Sequence, residues 1–576
     1  MKVTDFISKY LAEKRIKYVF ELAGGMITHL LDSLTTYIQI ITMHHEQSAA
    51  FAADAYGRAS GLPGIALATS GPGATNLLTG IASCYFDSVP AIFITGQVNR
   101  HELKGERLIR QLGFQETDIV NMATPITKAT FLVSDPNTIP DIFEKAFQIS
   151  TMGRPGPVLI DIPMDVQRSQ IEIEITKQIE NKLAISKSID LLVLSELVDN
   201  ITKAQRPIIL AGRGVNSAFA TNSLKFLAER LRIPIVTTLL AIDVIEFNHP
   251  LRIGFIGSYG NRWANIALGE SDLIIVLGSR LDIRQTGADT KFFEKKRKVY
   301  HVDCDKCEIN NRIKGCVPIV SDLNFFFFFF IKYTDFLVFT EKKEWYKYIN
   351  ELKERWPDSI ELDVVENSIN PNIFMHQLSN SSKRAKVYLS DVGAHQMWAA
   401  QSLEIQIHQK FYTSAGMGAM GFALPASIGA SFAFDKEPVV VIIGDGCMQL
   451  NIQELQTIVR NKLPVKIIVM NNQCLGMIRQ FQDSYFESRY QSTHWGYSAP
   501  NFEKVALAYG IISKTISTPQ EVKEAVDWLW CDDNKNEPVL LQVMIDSNTN
   551  VYPKIAYGKP ITEMEPFAKP LDMEGT

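Results

Sequence analysis

Asp445 and Asn472 offer two hard oxygen ligands 27 positions apart, each at the end of an apolar run that reads as a strand. Val439 to Ile443 is rich in β-branched residues and stops at Gly444-Asp445-Gly446. A helical stretch over Asn451 to Arg460 follows, Pro464 breaks it, and Val465 to Met470 forms a second strand ending at Asn471-Asn472. In a right-handed βαβ unit both strand ends open onto one crevice, so the two side chains should converge there. Oxygen ligands in such a crevice suit Mg²⁺ or Ca²⁺, and Mg²⁺ takes few protein ligands while keeping phosphates and water. The glycines would let the backbone approach a diphosphate, and a helix from Asn451 would aim amide donors at it. The plainer alternative is that Gly-Asp-Gly and Asn-Asn are ordinary turns.

Glu46 is the second candidate. Gln39 to Met43 reads as a buried strand, and His44-His45-Glu46-Gln47 ends it before a helix over Ser48 to Arg58. Desolvation at that strand end would favour a proton on the carboxyl group unless a partner intervenes. A glutamate at a helix N-terminus is equally a good match to the helix dipole, and the residue pattern leaves both open.

These residues need elements to hold them, and strand-like and helix-like segments alternate almost throughout. That implies α/β domains with parallel sheets. Glu174 to Lys187 is charged and weakly patterned, like a linker, and a second break falls near Asn324 to Trp345, which contains six consecutive phenylalanines, Phe325 to Phe330. Six in a row cannot all face one side of a helix or strand, and a buried or genetically slipped segment is the simple account of them. The expected domains are residues 1–170, 188–325 and 370–550, which suits the size of a 576-residue chain.

Net charge is −5, which gives no reason to expect nucleic-acid or anionic-membrane partners. The start, Met1 to Phe6, looks like an amphipathic helix capped by Thr4 or Asp5, not a signal peptide. No apolar run approaches the roughly 20 residues of a membrane helix, so a soluble, cytoplasmic protein is expected. Seven scattered cysteines argue for reduced thiols. Cys304-x-x-Cys307 with Cys316 lacks an evident fourth zinc ligand.

A longer series carries a resemblance. His45-Glu46-Gln47, Ser70 to Asn76, Asp87 to Pro90, Thr95 to Val98, Phe114 to Ile119, Gly153 to Val158, Gly418 to Phe422 and Gly444-Asp445-Gly446 occur in order over most of the chain. Together they resemble thiamine-diphosphate enzymes, closest to the acetohydroxyacid (acetolactate) synthases. The fold this implies is three α/β domains: an N-terminal pyrimidine-binding domain, a Rossmann-like middle domain of FAD-binding type and a C-terminal diphosphate and Mg²⁺ domain. The resemblance implies that Asp445, Asn472 and the main-chain carbonyl at Cys474 hold the metal. It implies that Glu46 bonds the cofactor's pyrimidine ring and promotes the tautomer that removes the thiazolium proton. Met420 would prop the cofactor in its bent shape, the Gly418 carbonyl would meet its amino group, and Gln115 would join the catalytic set. Gly25, Pro72, Asn76, Gly444, Gly446 and Cys447 would complete the cofactor contacts. Leu210-Ala211-Gly212-Arg213-Gly214, a weak nucleotide signal alone, resembles FAD-contacting sequence together with Arg280, Asp303 and Asp322. Arg284 would meet an acceptor carboxylate. A site built across two subunits implies a homodimer or homotetramer, with a regulatory subunit possible.

Four departures sit at the expected substrate entrance. Phe481 stands where the family usually has tryptophan, Asn99 and Ala23 replace prolines, and His101 to Gly113 is longer and more charged. The expected reaction is decarboxylation of a 2-oxo acid such as pyruvate, with transfer of the two-carbon unit to a second carbonyl compound. A nucleotide-linked keto-sugar as acceptor, a flavin-dependent pyruvate oxidase, and a non-enzymatic scaffold are the alternatives. The scaffold is disfavoured because Glu46, Asp445 and Asn472 all remain.

Overall fold

The structure is a computed structural model and describes residues 1–172, 189–295 and 297–571. The stretch Glu174 to Lys187 lies outside the described residues. Three six-stranded parallel sheets succeed one another along the chain. The first runs, in space, Gln39–Thr42, Tyr18–Leu22, Gly64–Ala68, Ala91–Gln97, Pro157–Pro163, Ala129–Leu132. In chain order that is 2-1-3-4-6-5. The third sheet repeats this order with Lys410–Tyr412, Val387–Ser390, Val439–Gly444, Val465–Asn471, Val539–Met544 and Ile512–Ile516. The middle sheet has the doubly wound Rossmann order 3-2-1-4-5-6: Arg252–Phe255, Ile235–Thr237, Pro207–Ala211, Leu273–Leu277, Lys298–Asp303, Val317–Val320. The expected α/β class and Rossmann-like middle sheet are what is found.

Each order contains a reversal, and a reversal leaves a crevice at the carboxyl ends of the two strands flanking it. These crevices lie beyond Tyr18–Leu22 and Gly64–Ala68, beyond Pro207–Ala211 and Leu273–Leu277, and beyond Val387–Ser390 and Val439–Gly444. Val439–Gly444 and Val465–Asn471 are buried along their whole length, as β-branched runs between two helical layers must be.

The first and third units share one apolar core, centred on the helices Glu46–Ser60 and Ala423–Ala433. Both are rich in alanine, and Gly429 lies against the Ala52 carbonyl, so small side chains let the two backbones approach. Arg58 is buried between Asp54 and Asp87 and also donates to the Thr413 carbonyl. Asp87 in turn accepts from the amides of Ala415 and Gly416. This network ties the first unit to the segment that carries Gly418 and Met420.

Several local expectations are corrected. Gln39–Thr42 is the outermost strand of its sheet and is largely exposed. The helix after it is Glu46–Ser60, so Glu46 is its first residue and His45 its cap, accepting from the Gln47 amide at 3.0 Å. The first helix, Val3–Glu13, has neither Thr4 nor Asp5 as its cap. The Ser169 carbonyl takes the Val3 amide instead. Asn324 to Trp345 is not an open break: Leu323–Tyr333 is a helix that buries Phe326, Phe327 and Phe330 on the middle sheet. Lys343–Arg355 then covers that sheet with Trp345, Ile349 and Leu352.

Candidate cofactor sites

In the first crevice the Glu46 carboxylate is buried at the helix start. Its Oε2 accepts from Asn76 Nδ2 at 3.0 Å, so the partner that the sequence left open is a neutral amide. Its Oε1 makes no hydrogen bond among the described residues and lies over Gly73, where a β-carbon would meet it at 3.1 Å. Pro72 opens the short helix Pro72–Asn76, which brings Asn76 round to Glu46. Gly71 has φ of +65°, and a β-carbon there would meet Gln115 Cβ at 3.0 Å, so glycine serves both the backbone and the packing. Gln115 itself is held in the left-handed region at φ 65°. Gly25 follows Gly24, which packs on Thr69, and Thr69 also contacts Gly73. Gly25, Glu46, Pro72, Asn76 and Gln115 are thereby gathered at one strand-end cluster.

In the third crevice Gly444 and Met470 pair in register, which sets Asp445 and Asn472 side by side. The Asn472 amide oxygen lies 3.1 Å from Asp445 Oδ1 and 2.8 Å from the Cys474 carbonyl oxygen. The Asn472 side-chain amide thus stands between a carboxylate and a carbonyl oxygen, where it can donate to both through its nitrogen or join them through its oxygen as a third ligand to a hard cation. Burial pushes the Asp445 carboxyl up to about 6, against a hydrogen bond from the Tyr497 phenol at 2.9 Å. The helix here is Asp445–Leu450, not the expected one from Asn451. Asn451 sits in the break before Glu454–Arg460, where its side chain donates to the Gly421 carbonyl and to Gln47 and accepts from Ser48. Amide donors at the crevice therefore come from the turn at Gly444–Cys447 itself. Met420 stands over Gly446, 3.4 Å from where its β-carbon would be, and Gly418 precedes it with φ +63°.

Beneath this turn lies a buried group that the sequence analysis missed. Asp391, His395 and Cys447 bring a carboxylate, an imidazole and a thiol within 4.8 Å of one another. Their polar atoms are already engaged: Asp391 accepts from the amides of Val392, Gly421 and Ala423, Cys447 donates to the Val392 carbonyl, and His395 Nε2 accepts from the Gly444 amide. Burial lowers His395 to about 3, which keeps it a neutral acceptor. The group is a shelf that fixes the Gly444 turn. Its signal was present: Asp391-Val392-Gly393 ends the apolar strand Val387–Ser390 much as Gly444-Asp445 ends its neighbour.

The middle crevice is a cleft of about 840 Å³ bounded by Arg213, Gly214, Arg280, Asp303, Asp322 and Arg284, with Gly418 at its far side. Gly212 and Gly214 donate to the carbonyls of Leu277 and Gly278, which closes the strand-end turn. Arg213 Nε is buried without a partner, and no carboxylate lies within ion-pair distance of that guanidinium among the described residues. Burial, with Arg58 nearby, lowers its pKa, the signature of a cation short of an anion. Burial pushes Asp303 up to about 6, and Asp322 caps the phenylalanine helix through the amides of Asn324 and Phe325. Cys304, Cys307 and Cys316 remain free and form no metal-type cluster among the described residues.

Phe481 does not line this cleft. It lies on the helix Gly476–Tyr485, 37% exposed, packed against Tyr485 with the rings tilted by 50° and their centroids 4.8 Å apart. The exposed Arg284 lies beside the Tyr259 segment, its carbonyl accepting from the Ser258 amide. The charged segment after Asn99 is pinned at its base by Glu116, which accepts from the amides of Lys104 and Leu112. Its tip, Gly105 to Arg110, is exposed.

Two sheets of identical order flanking a Rossmann sheet, with acid and oxygen-ligand clusters at the outer reversals, define a multi-domain enzyme built to hold a phosphorylated cofactor. Family models agree segment by segment. Residues 1–122 match the N-terminal TPP binding domain of thiamine pyrophosphate enzymes, 194–327 their central domain, and 391–543 their C-terminal TPP binding domain. A probable acetolactate synthase large subunit of Methanocaldococcus jannaschii is 37% identical, covering 95% of this chain and 92% of its own. The isozyme 2 large subunit of Escherichia coli acetolactate synthase is 35% identical, covering 98% and 99%. That of Cyanidium caldarium is 35% identical, covering 97% and 96%. The chain belongs to the acetolactate synthase large-subunit family of thiamine pyrophosphate enzymes. No helix among the described residues is long and apolar enough to cross a membrane.

Proposed function

We propose that this chain decarboxylates pyruvate or a similar 2-oxo acid and joins the resulting two-carbon unit to a second carbonyl compound, releasing CO₂. The observation that carries this is the unpaired Glu46 Oε1, on a carboxylate oriented by Asn76 and facing the crevice of the first sheet. Thiamine diphosphate, when bound, supplies the electron sink that decarboxylation needs. Glu46 would hold its pyrimidine end and exchange a proton there, while Met420 and Gly418 would set its shape. Asp445, Asn472 and the Cys474 carbonyl would hold Mg²⁺, a fit supported by the convergence of the Asp445 carboxylate, the Asn472 side-chain amide and the Cys474 carbonyl oxygen. The middle cleft would hold FAD, its diphosphate answering the unpaired Arg213. A carboligation involves no net redox change, so that role is structural.

The site would be completed by a second copy of the chain, as the resemblance to the family implies. The relatives are named large subunits, and a regulatory subunit belongs to the same proposal. One observation favours a different acceptor: the exposed tip after Asn99 presents Arg107 and Arg110 without carboxylate partners among the described residues. An anionic, nucleotide-linked keto-sugar would suit it. The test is to incubate purified protein with Mg²⁺, thiamine diphosphate and pyruvate, and to identify products with pyruvate alone, with 2-oxobutanoate and with such a sugar. Absence of CO₂ release from pyruvate under every condition rejects the proposal. Bleaching of bound flavin by pyruvate without oxygen would instead identify an oxidase.

A further inference from the structure

We infer that Tyr497 is a positioning residue for the metal: its phenol holds one oxygen of Asp445 so that the other stays aimed at the Asn472 and Cys474 oxygens. The inference rests on the metal site proposed above. A carboxylate with both oxygens free can turn about its last bond, and either oxygen can then meet the cation or neither. Here the two oxygens have different partners. Asp445 Oδ2 accepts from Tyr497 at 2.9 Å, whereas Oδ1 lies 3.1 Å from the Asn472 amide oxygen. The phenol thus leaves one oxygen for the cation and fixes its direction, as partners behind a ligand commonly do.

Tyr497 reaches this carboxylate from 52 positions away in the sequence, and the intervening segment is fastened for the purpose. The Leu475 amide donates to the Thr493 carbonyl at 2.9 Å, just past Cys474, and Thr493 Oγ1 donates to Gln482 on the following helix. The Tyr497 amide donates to the His494 carbonyl. Gly446 completes the arrangement: a β-carbon there would stand 3.3 Å from the Tyr497 hydroxyl and 2.8 Å from the end of the Leu475 side chain, so a side chain would crowd the phenol and shift it by a few tenths of an ångström. The second glycine of the turn thus leaves room for this phenol as well as any phosphate.

The experiment is calorimetric titration of Mg²⁺ into metal-free protein in the presence of thiamine diphosphate, for the native chain, Tyr497→Phe, Gly446→Ala and Asp445→Ala. Tyr497→Phe is expected to weaken Mg²⁺ binding about 10- to 100-fold. Its melting temperature without metal should match the native chain's, and excess Mg²⁺ should restore turnover, a rescue that general loss of structure would not permit. Gly446→Ala should weaken Mg²⁺ in the same direction, which keeps the test alive should Tyr497→Phe fold poorly. Native Mg²⁺ affinity in both variants, with binding abolished in Asp445→Ala, overturns the role of Tyr497 and leaves the metal site standing. Unchanged Mg²⁺ binding in Asp445→Ala overturns the metal site, and the role of Tyr497 with it.

Discussion

Glu46 and Asp445 are both buried carboxylates at strand ends, and their surroundings assign them different work. Glu46 has a neutral amide on one oxygen and no hydrogen bond on the other among the described residues, and it is proposed to exchange a proton with the cofactor. Glu46→Gln should keep the fold and cofactor affinity while turnover falls by about 10² to 10⁴. Near-native pyruvate decarboxylation by the variant would remove Glu46 from the chemistry. Asp445 is proposed to hold a cation. Its pKa rises from 3.8 to about 6 on burial, so between those values the folded chain binds more protons than the unfolded one, and stability without metal falls as pH rises through that window. Asp445→Asn should therefore raise the metal-free melting temperature above about pH 6 and leave it unchanged below about pH 4. The stabilisation is bounded by ~3 kcal/mol, the equivalent of that shift. A melting temperature at pH 7.5 equal to the native one would show that the carboxylate carries no such cost. Phe481→Trp should shift the ratio of products from competing pyruvate and 2-oxobutanoate by about 10-fold, leaving donor decarboxylation intact. An unchanged ratio would place Phe481 outside the acceptor pocket.

At the scale of elements, the phenylalanine helix shows how a sequence without periodicity acquires one. Leu323–Tyr333 turns Phe326, Phe327 and Phe330 into the core of the middle sheet and leaves Phe328 64% exposed. Phe330→Ala should cost about 3 to 5 kcal/mol, the range for emptying a buried aromatic site. Phe328→Ala should stay within about 0.5 kcal/mol. Urea midpoints for the two variants distinguish this helix phase from any other, and equal losses would contradict it. The same scale accounts for the Asn451 correction. Its side chain is drawn into hydrogen bonds with Gly421, Gln47 and Ser48, which leaves it in the break between two helices where sequence pattern alone would begin one.

Across the whole molecule, the first and third units share one core, and the proposed completion of the site by a second copy predicts complementation. Glu46→Gln and Asp445→Ala proteins, each inactive alone, should regain part of the native activity when unfolded together and refolded as mixed oligomers. In a mixed dimer one site would carry both defects and the other neither. No recovery in a verified mixed oligomer would mean that each site is built from one chain.

The sequence by itself determined the periodic and the covalently adjacent features. Alternating apolar runs and helical stretches require parallel α/β units, and β-branched strands ending in Gly-Asp-Gly and Asn-Asn require that Asp445 and Asn472 meet, because strand register fixes their spacing. Glycines that admit close contacts were visible for the same reason. Only the tertiary structure decided what depends on residues distant in sequence: Asn76 as partner of Glu46, Tyr497 behind Asp445, Asp391 and His395 under the Gly444 turn, and Arg58 between Asp54 and Asp87. It also decided that a run of six aromatic residues would be a helix with one wet face. Local propensity and period act within a few residues, whereas a hydrogen-bond partner or a buried face is chosen by which elements the packed core brings together.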